Sequence, residues 1–249
     1  TPERKPAITP IKIRIIKVVI SIIINKDKEL IYLLKKIMKI KSFTFNPFQE
    51  NTYIIYNSKK ECLIIDPGCY TNEEEKKIYD FIKKNKLNPI KIINTHCHID
   101  HILGNQFVHK TWKIDLHIHI NEIEQLNNSE SIAKIYGLDK YKPSPKPTHF
   151  IKENQEIKLG SYNFKILFTP GHSPGHICLY NEVDNFIISG DILFKNSIGR
   201  TDLPGGDYTT LINSITEKIL PINESLKIYP GHGPSTILKE EKETNPFLK

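Results

Sequence analysis

Three histidines and an aspartate fall within six residues, in the stretch Thr95-His96-Cys97-His98-Ile99-Asp100-His101. Imidazole nitrogens and carboxylate oxygens are ordinary ligands of zinc and similar divalent ions. Residues 96 and 98 are spaced to grip one ion, and residues 100 and 101, further round the turn, to reach a second. Cys97 is a third ligand type, but alternate side chains of an extended stretch face opposite sides, so it is expected to point away from His96 and His98. Three later stretches add donors: Thr169-Pro170-Gly171-His172-Ser173-Pro174-Gly175-His176, Ser189-Gly190-Asp191, and Pro230-Gly231-His232-Gly233-Pro234. Each sets a His or Asp among Gly and Pro that force a tight turn and a close backbone approach. Alone, any of these reads as a turn. In this order after the first stretch, they read as the rest of a metal site. His176 is expected to support that site through a hydrogen bond. His109, His117, His119 and His149 lack such turns and are assigned to surface or packing; His117 and His119 share a strand face and could take only an adventitious ion.

The elements that must position these groups are legible in the pattern. Residues 90–94 are apolar and β-branched, so the first cluster follows a short buried strand. Each later cluster also follows a strand, at 164–168, 185–188 and 226–229. Alternation predicts further strands at 39–45, 51–56 and 61–65, the last ending in Asp66-Pro67-Gly68. Acids at 73–75 open a helix over 71–86. Helices are expected near 102–112, 121–136, 207–219 and 235–243, with a strand at 115–120 and strands dominating 156–189. The Pro-rich stretch 142–147 is a loop. Such mixed order predicts sheet and helix layers in one α/β domain.

The chain of 249 residues is 39% hydrophobic and 25% charged, an ordinary soluble composition. Its net charge of +7 is concentrated: residues 1–37 hold nine Lys/Arg against three acids, so the remainder is close to neutral. That balance speaks against a nucleic-acid surface. Four cysteines with no C-x-x-C pairing point to a reducing compartment, the cytoplasm. The Ile-rich stretch near the N-terminus has an uncharged run only from 18 to 25, too short to span a bilayer, so no stable membrane insertion is expected. The functional domain is expected to begin at Met38, the only Met, and to run over residues 38–249, with residues 1–37 an extension outside the fold.

On T-H-C-H-I-D-H (95–101), G-H-S-P-G-H (171–176), S-G-D (189–191) and P-G-H-G-P (230–234), the chain resembles the metallo-β-lactamase-fold hydrolases, from Met38 to the C-terminus. The resemblance implies an α/β fold, a four-layer αβ/βα sandwich with metals at one edge. It implies that His96, His98 and His172 bind one metal, that Asp100, His101 and His232 bind a second, and that Asp191 bridges both. Residues 190–194 (G-D-I-L-F) and 197–207 (S-I-G-R-T-D-L-P-G-G-D) look like the glyoxalase II, or hydroxyacylglutathione hydrolase, group. The ending Asn245-Pro246-Phe247-Leu248 looks like its short bacterial branch, expected to lack the C-terminal helical domain that grips glutathione in longer members.

What this resemblance implies is hydrolysis of an S-2-hydroxyacyl thioester such as S-lactoylglutathione by a hydroxide held between two divalent ions, zinc first, with iron or manganese accepted by the same ligands. Asp100 and Asp191 would be the catalytic carboxylates, and Arg200 and Tyr208 candidates to meet an anionic, small-molecule thioester. Thioesters suit such a site because a thiolate, with a pKa of about 8.5, leaves without a dedicated acid. An amide needs its nitrogen protonated, and the sequence offers no obvious acid for that; a β-lactamase is disfavoured because zinc-dependent ones often replace or omit the bridging carboxylate, which is Asp191 here. The alternative is a persulfide dioxygenase of the same fold, with a single iron. An RNA-processing nuclease would need an added substrate-binding arm.

Overall fold

The computed structural model describes residues 38–249; the expected N-terminal extension lies outside the described residues. Strands β1 (Lys39–Phe45), β2 (Glu50–Tyr56) and β3 (Glu61–Ile65) form an antiparallel meander. Helix α1 (Asn72–Asn85) then carries the chain back to β4 (Asn88–Ile93), which lies parallel to β3. A capping box starts α1: the Thr71 hydroxyl accepts from the Glu74 N–H while the Glu74 carboxylate accepts from the Thr71 N–H. After β4 come α2 (Ile99–Ile102), α3 (Asn105–Trp112), β5 (Leu116–His119), a 3₁₀ turn over Ile120–Glu122, α4 (Ile123–Ile135) and β6 (His149–Ile151). The first sheet has the order β1-β2-β3-β4-β5-β6.

The second sheet takes β7 (Glu156–Leu159), β8 (Tyr162–Phe168), β9 (Ile177–Asn181), β10 (Phe186–Gly190), β13 (Lys227–Pro230) and β14 (Thr236–Ile237). Its order is β14-β13-β10-β9-β8-β7, with β13 parallel to β10. Between β10 and β13 lie the two-residue strands β11 (Leu193–Phe194) and β12 (Ser197–Ile198) and helix α5 (Tyr208–Ser214); α6 (Leu238–Thr244) follows β14.

The burial alternates as a four-layer arrangement demands. On β3, Leu63 and Ile65 enter a core shared with Phe164, Ile166, Leu179 and Ile188 of the second sheet. Their neighbours Cys62 and Ile64 face the other way, into a core with Ile78 and Ile82 of α1 and Val108 of α3. On the far side Cys178, Ile187 and Ile228 pack under Leu211, Ile215, Ile219 and Leu238. Strands buried on both faces read as apolar runs rather than clean alternation, as in Leu63-Ile64-Ile65. The result is helices, sheet, sheet, helices, as the α/β sandwich expectation required.

Several boundaries differ from the sequence pattern. The helix expected near 102–112 breaks at Leu103–Gly104, because the Gly104 N–H is given to the Pro67 carbonyl (2.7 Å) and a Cβ there would meet Cys69 Sγ at 2.3 Å. The helix expected over 207–219 becomes a π-helix over Ile215–Ile219, where the Leu220 N–H reaches back to the Ile215 carbonyl (2.9 Å). The start of the last expected helix is instead strand β14, paired with β13. Among the described residues no helix is long and apolar enough to cross a membrane, and all four cysteines are free and buried.

Candidate metal centre

Both sheets present their loops to one place. The loop after β4 and the first turn of α2 carry His96, His98, Asp100 and His101. The loops after β8, β10 and β13 carry His172, Asp191 and His232. His98 Nδ1 lies 2.8 Å from His172 Nε2, which lies 3.3 Å from His96 Nε2. Asp100 Oδ2 is 3.0 Å from His232 Nε2 and 3.6 Å from His101 Nε2. Asp191 sits between the two groups: Oδ1 is 3.5 Å from His101 Nε2, while Oδ2 is 3.4 Å from His232 Nε2 and 3.6 Å from His172 Nε2. The structure therefore brings together all seven predicted donors. Among the described residues, His96–His98–His172 and Asp100–His101–His232 are two of the three groups with donor atoms close enough to hold an ion.

The second ring nitrogens explain how the imidazoles are aimed. A carbonyl oxygen only accepts, so His172 Nδ1–H donates to the Arg200 carbonyl (2.8 Å) and His232 Nδ1–H to the Phe48 carbonyl (3.1 Å). His101 Nδ1–H donates to Asp66 Oδ2 (3.1 Å). Thr95 has one hydroxyl proton and gives it to the same Asp66 oxygen (2.6 Å), so its oxygen accepts from His96 Nδ1–H (3.1 Å). In all four rings Nδ1 is tied back and Nε2 faces the centre, the usual way a protein fixes ligand tautomers.

Asp66 thus orients two of the histidines, one directly and one through Thr95, and also accepts from the Thr95 N–H (2.7 Å). It holds a positive φ of 47° to do so, an uncommon conformation for a residue other than glycine. Asp66 also forms the third potential ion-holding group, with His96 and His101, but its oxygens are already spent on Thr95 and His101.

The residues fit divalent ions by their own chemistry. His101 Nε2 and Asp191 Oδ1 are buried, face one another and have no hydrogen-bond partner. Burial would raise the Asp191 pKa, but His101 and His232 outweigh it and hold the carboxyl well below the usual range; Asp100 is lowered by the same neighbours against its own burial. Burial and the adjoining imidazoles keep His96 well below its ordinary value, and the same causes take His98 to about 3. Ionised carboxylates and neutral imidazoles are the protonation states that metal ligation uses. The carboxylates also demand positive charge: against burial, Asp191 and Asp100 push His101 well up, and Asp100 and Asp191 push His232 to about 9. A divalent cation among these donors meets the same demand.

Close approach at the donors depends on glycine. A Cβ on Gly231 would lie 2.0 Å from Asp191 Oδ1 and 2.7 Å from His101 Cε1. Two further devices join the halves. Glu122, fully buried, accepts from the Cys97 N–H (2.7 Å), the Gly175 N–H (2.6 Å) and the Ser173 hydroxyl, so one carboxylate staples the loop after β4 to the loop after β8. Asn51 and Tyr53 of β2 both donate to the Pro230 carbonyl (3.1 and 2.7 Å), seating the His232 loop on the first sheet. His176 Nε2 accepts from the Asp191 N–H (3.0 Å), the supporting hydrogen bond expected of it.

The remaining expectations divide. Cys97 is buried in the helix-side core, away from the donors. His117 stacks on His149 (centroids 4.5 Å apart) and His119 on Phe168, in separate packing roles. Arg200 lines the cleft over the centre, but its guanidinium is paired twice with Asp202 at 2.7 Å. Tyr208, first residue of α5 after the Asp207 cap, is exposed and does not line the cleft. Sequence reasoning missed Asp66 and Glu122. Asp66 had a signal, an acid at a strand end before Pro-Gly, the same signature that marked the other donors. Glu122 had none.

A family model described as the Metallo-beta-lactamase superfamily matches residues 45–234. "Probable metallo-hydrolase YqgX" of Bacillus subtilis is 40% identical over 214 residues, 85% of this chain and 98% of that protein. "Hydroxyacylglutathione hydrolase GloC" of Haemophilus influenzae is 35% identical over 212 residues, 85% of this chain and 98% of that protein. Among solved structures, that titled "Crystal structure of BLEG-1 B3 metallo-beta-lactamase" superposes with a TM-score of 0.77 at 36% identity, covering 85% of this chain and all of that one.

Proposed function

The chain belongs to the metallo-beta-lactamase superfamily, and from that membership we propose that this metallo-hydrolase cleaves thioesters of 2-hydroxy acids on a dinuclear centre. The observation that carries the reading is the convergence of seven donors as two groups with Asp191 between them, its Oδ1 facing His101 and its Oδ2 facing both His172 and His232. His96, His98 and His172 would hold one ion, and Asp100, His101 and His232 the second. When bound, such ions supply Lewis acidity, lowering the pKa of water and polarising a carbonyl. Zinc is the first expectation, with iron and manganese accepted by the same donors.

The chain's own groups do the rest. Asp100 lies at the cleft floor with its Oδ2 beside His232 Nε2. There it orients the attacking water and accepts its proton. Asp66 and the Phe48 and Arg200 carbonyls hold the imidazoles still, so little reorganisation is needed during the reaction. Among the described residues the floor holds no carboxyl group besides the ion-holding Asp100 and Asp191 to protonate a leaving amine; Glu124 is on the wall, in α4. A thiolate needs none. The 35% identical relative named as a hydroxyacylglutathione hydrolase supports the same substrate class. The partner is then a small-molecule thioester rather than nucleic acid, and the compartment the cytoplasm.

The test is loss of thioester absorbance with S-D-lactoylglutathione and with the S-D-lactoyl thioester of benzyl mercaptan, His98→Ala serving as control and metal content read on the same sample. Hydrolysis that vanishes in the variant, with two ions per chain, is expected. No hydrolysis of either thioester by protein holding two ions would sink the proposal. A single iron with oxygen uptake on a persulfide would favour the dioxygenase. The solved β-lactamase at 36% identity favours one second reading, cleavage of a β-lactam, and a chromogenic cephalosporin in the same assay tests it.

A further inference from the structure

The cleft above the donors has two unlike parts. Its floor is His98, Asp100, His172, Asp191 and His232. Its walls are apolar: Phe48, Ile132, Ile135 and Tyr136 on one side, Leu203 and Pro204 on the other. Ile135 is 80% exposed and Tyr136 47%, at the C-terminal end of α4, and the Tyr136 ring packs edge-on against Phe48 (centroids 5.3 Å apart). Large apolar side chains left in water beside a reaction centre mark a surface that a ligand covers.

Three polar groups on these walls, those of Asn121, Gln125 and Arg200, are committed. Asn121 of the 3₁₀ turn donates to the Pro174 carbonyl and Gln125 of α4 to the Pro204 carbonyl, both at 3.3 Å, bracing these two elements against the opposing loops. Outside the donor set the charged lining residues are Glu124 and Arg200, and Arg200 is ion-paired with Asp202 through its Nε–H and an Nη2–H. Among the described residues lining the cleft, no cation is left unpaired.

We propose that this cleft selects thioesters whose leaving thiol carries an uncharged, apolar arm, and that it discriminates against glutathione as the thiol. The proposal rests on the thioester reading above. A three-carbon hydroxyacyl group at the floor fills little of a cleft of about 910 Å³, so the walls receive the thiol arm. The glutathione arm brings two carboxylates and one ammonium. Its carboxylates meet Glu124 and no free cation. A carboxylate that reaches the remaining N–H groups of Arg200 shares one positive charge with Asp202 and sits beside that like-charged group. An apolar arm instead takes Ile135 and Tyr136 out of water, where burial is favourable in proportion to area.

The experiment uses the full chain loaded with metal and two readouts. One is kcat/KM for the S-D-lactoyl thioesters of benzyl mercaptan and of glutathione. The other is calorimetric Kd for the corresponding S-(2-hydroxypropyl) thioethers, which cannot be hydrolysed. The apolar arm is expected to win by about tenfold or more in both. Ile135→Ser, a neutral change at an exposed position, is expected to cut that ratio by about fivefold or more. Asp202→Asn, which releases Arg200, is expected to raise kcat/KM on the glutathione thioester. Equal or tighter binding of the glutathione thioether, or a ratio that Ile135→Ser leaves unmoved, overturns the proposal. If neither thioester is hydrolysed while the thioether preference persists, the thioester reading falls and the preference of the cleft stands.

Discussion

The two sheets serve the centre in different ways. The first delivers four donors from one continuous stretch, the loop after β4 and the turn of α2, and anchors two of them, His96 and His101, through Asp66. The second delivers three donors, one from each of three loops separated by whole strands. Those three borrow their support from elsewhere: His172 from the Arg200 carbonyl, His232 from Phe48 on the first sheet, Asp191 from His176. One half is thus local and self-supporting, and the other exists only once the strands are paired. Breaking a link of each kind should have different consequences.

The largest effect is expected at the residue between the halves. Asp191→Ala removes the carboxylate that faces both donor groups, and should lower hydrolysis by about 1,000-fold or more with loss of bound ion, read by steady-state kinetics and elemental analysis. Next is the staple. Glu122→Ala strands the Cys97 and Gly175 amides and the Ser173 hydroxyl without an acceptor, a cost of about 3 kcal/mol. At this chain length that corresponds to a Tm lower by about 6–12 °C in calorimetry, with Glu122→Gln losing roughly half as much.

The anchor of the first half is subtler. Asp66→Asn keeps the shape but weakens the orientation of His101 and His96, and should reduce metal affinity about 10–100-fold while the far-ultraviolet dichroism is unchanged. A chelator competition assay measures it, and an unchanged affinity would mean that the first half does not depend on its anchor. The smallest effect lies away from the centre. Burial first, then Lys91 and His149, takes His117 from 6.5 to about 4. The unfolded chain therefore binds this proton first as pH falls, so stability present above pH 6.5 is lost on the way down to about 4. His117→Gln should flatten the Tm–pH curve over that window, and a variant as steep as the parent would exclude His117 as a contributor.

The contrast between the halves also explains what could be read early. His96, His98, Asp100 and His101 are legible because their spacing is itself the geometry. His172, Asp191 and His232 are legible as strand-end residues wrapped in Gly and Pro, but their meeting depends on the parallel pairing of β10 with β13 and on Gly231 admitting Asp191 at close range. Glu122 was invisible because a lone acid before an amphipathic helix reads as a solvated helix start, whereas here it is the acceptor for three donors from two distant loops.

Arg200 shows the limit from the other side. Its position two residues before Asp202 says nothing about pairing, since neighbours in a loop point together or apart according to the turn they occupy. The folded loop turns the guanidinium onto Asp202 and the carbonyl onto His172, so the group that suggested an anion site serves the centre through its backbone. Donor identity, donor order and the layered alternation of sheet and helix were determined by the sequence, because ligand chemistry and hydrophobic period are properties of short stretches. Which oxygen faces which imidazole, which nitrogen is tied back, and that the walls over the centre are apolar and without a free cation were decided by the tertiary structure, because each requires two strands or loops to be placed side by side.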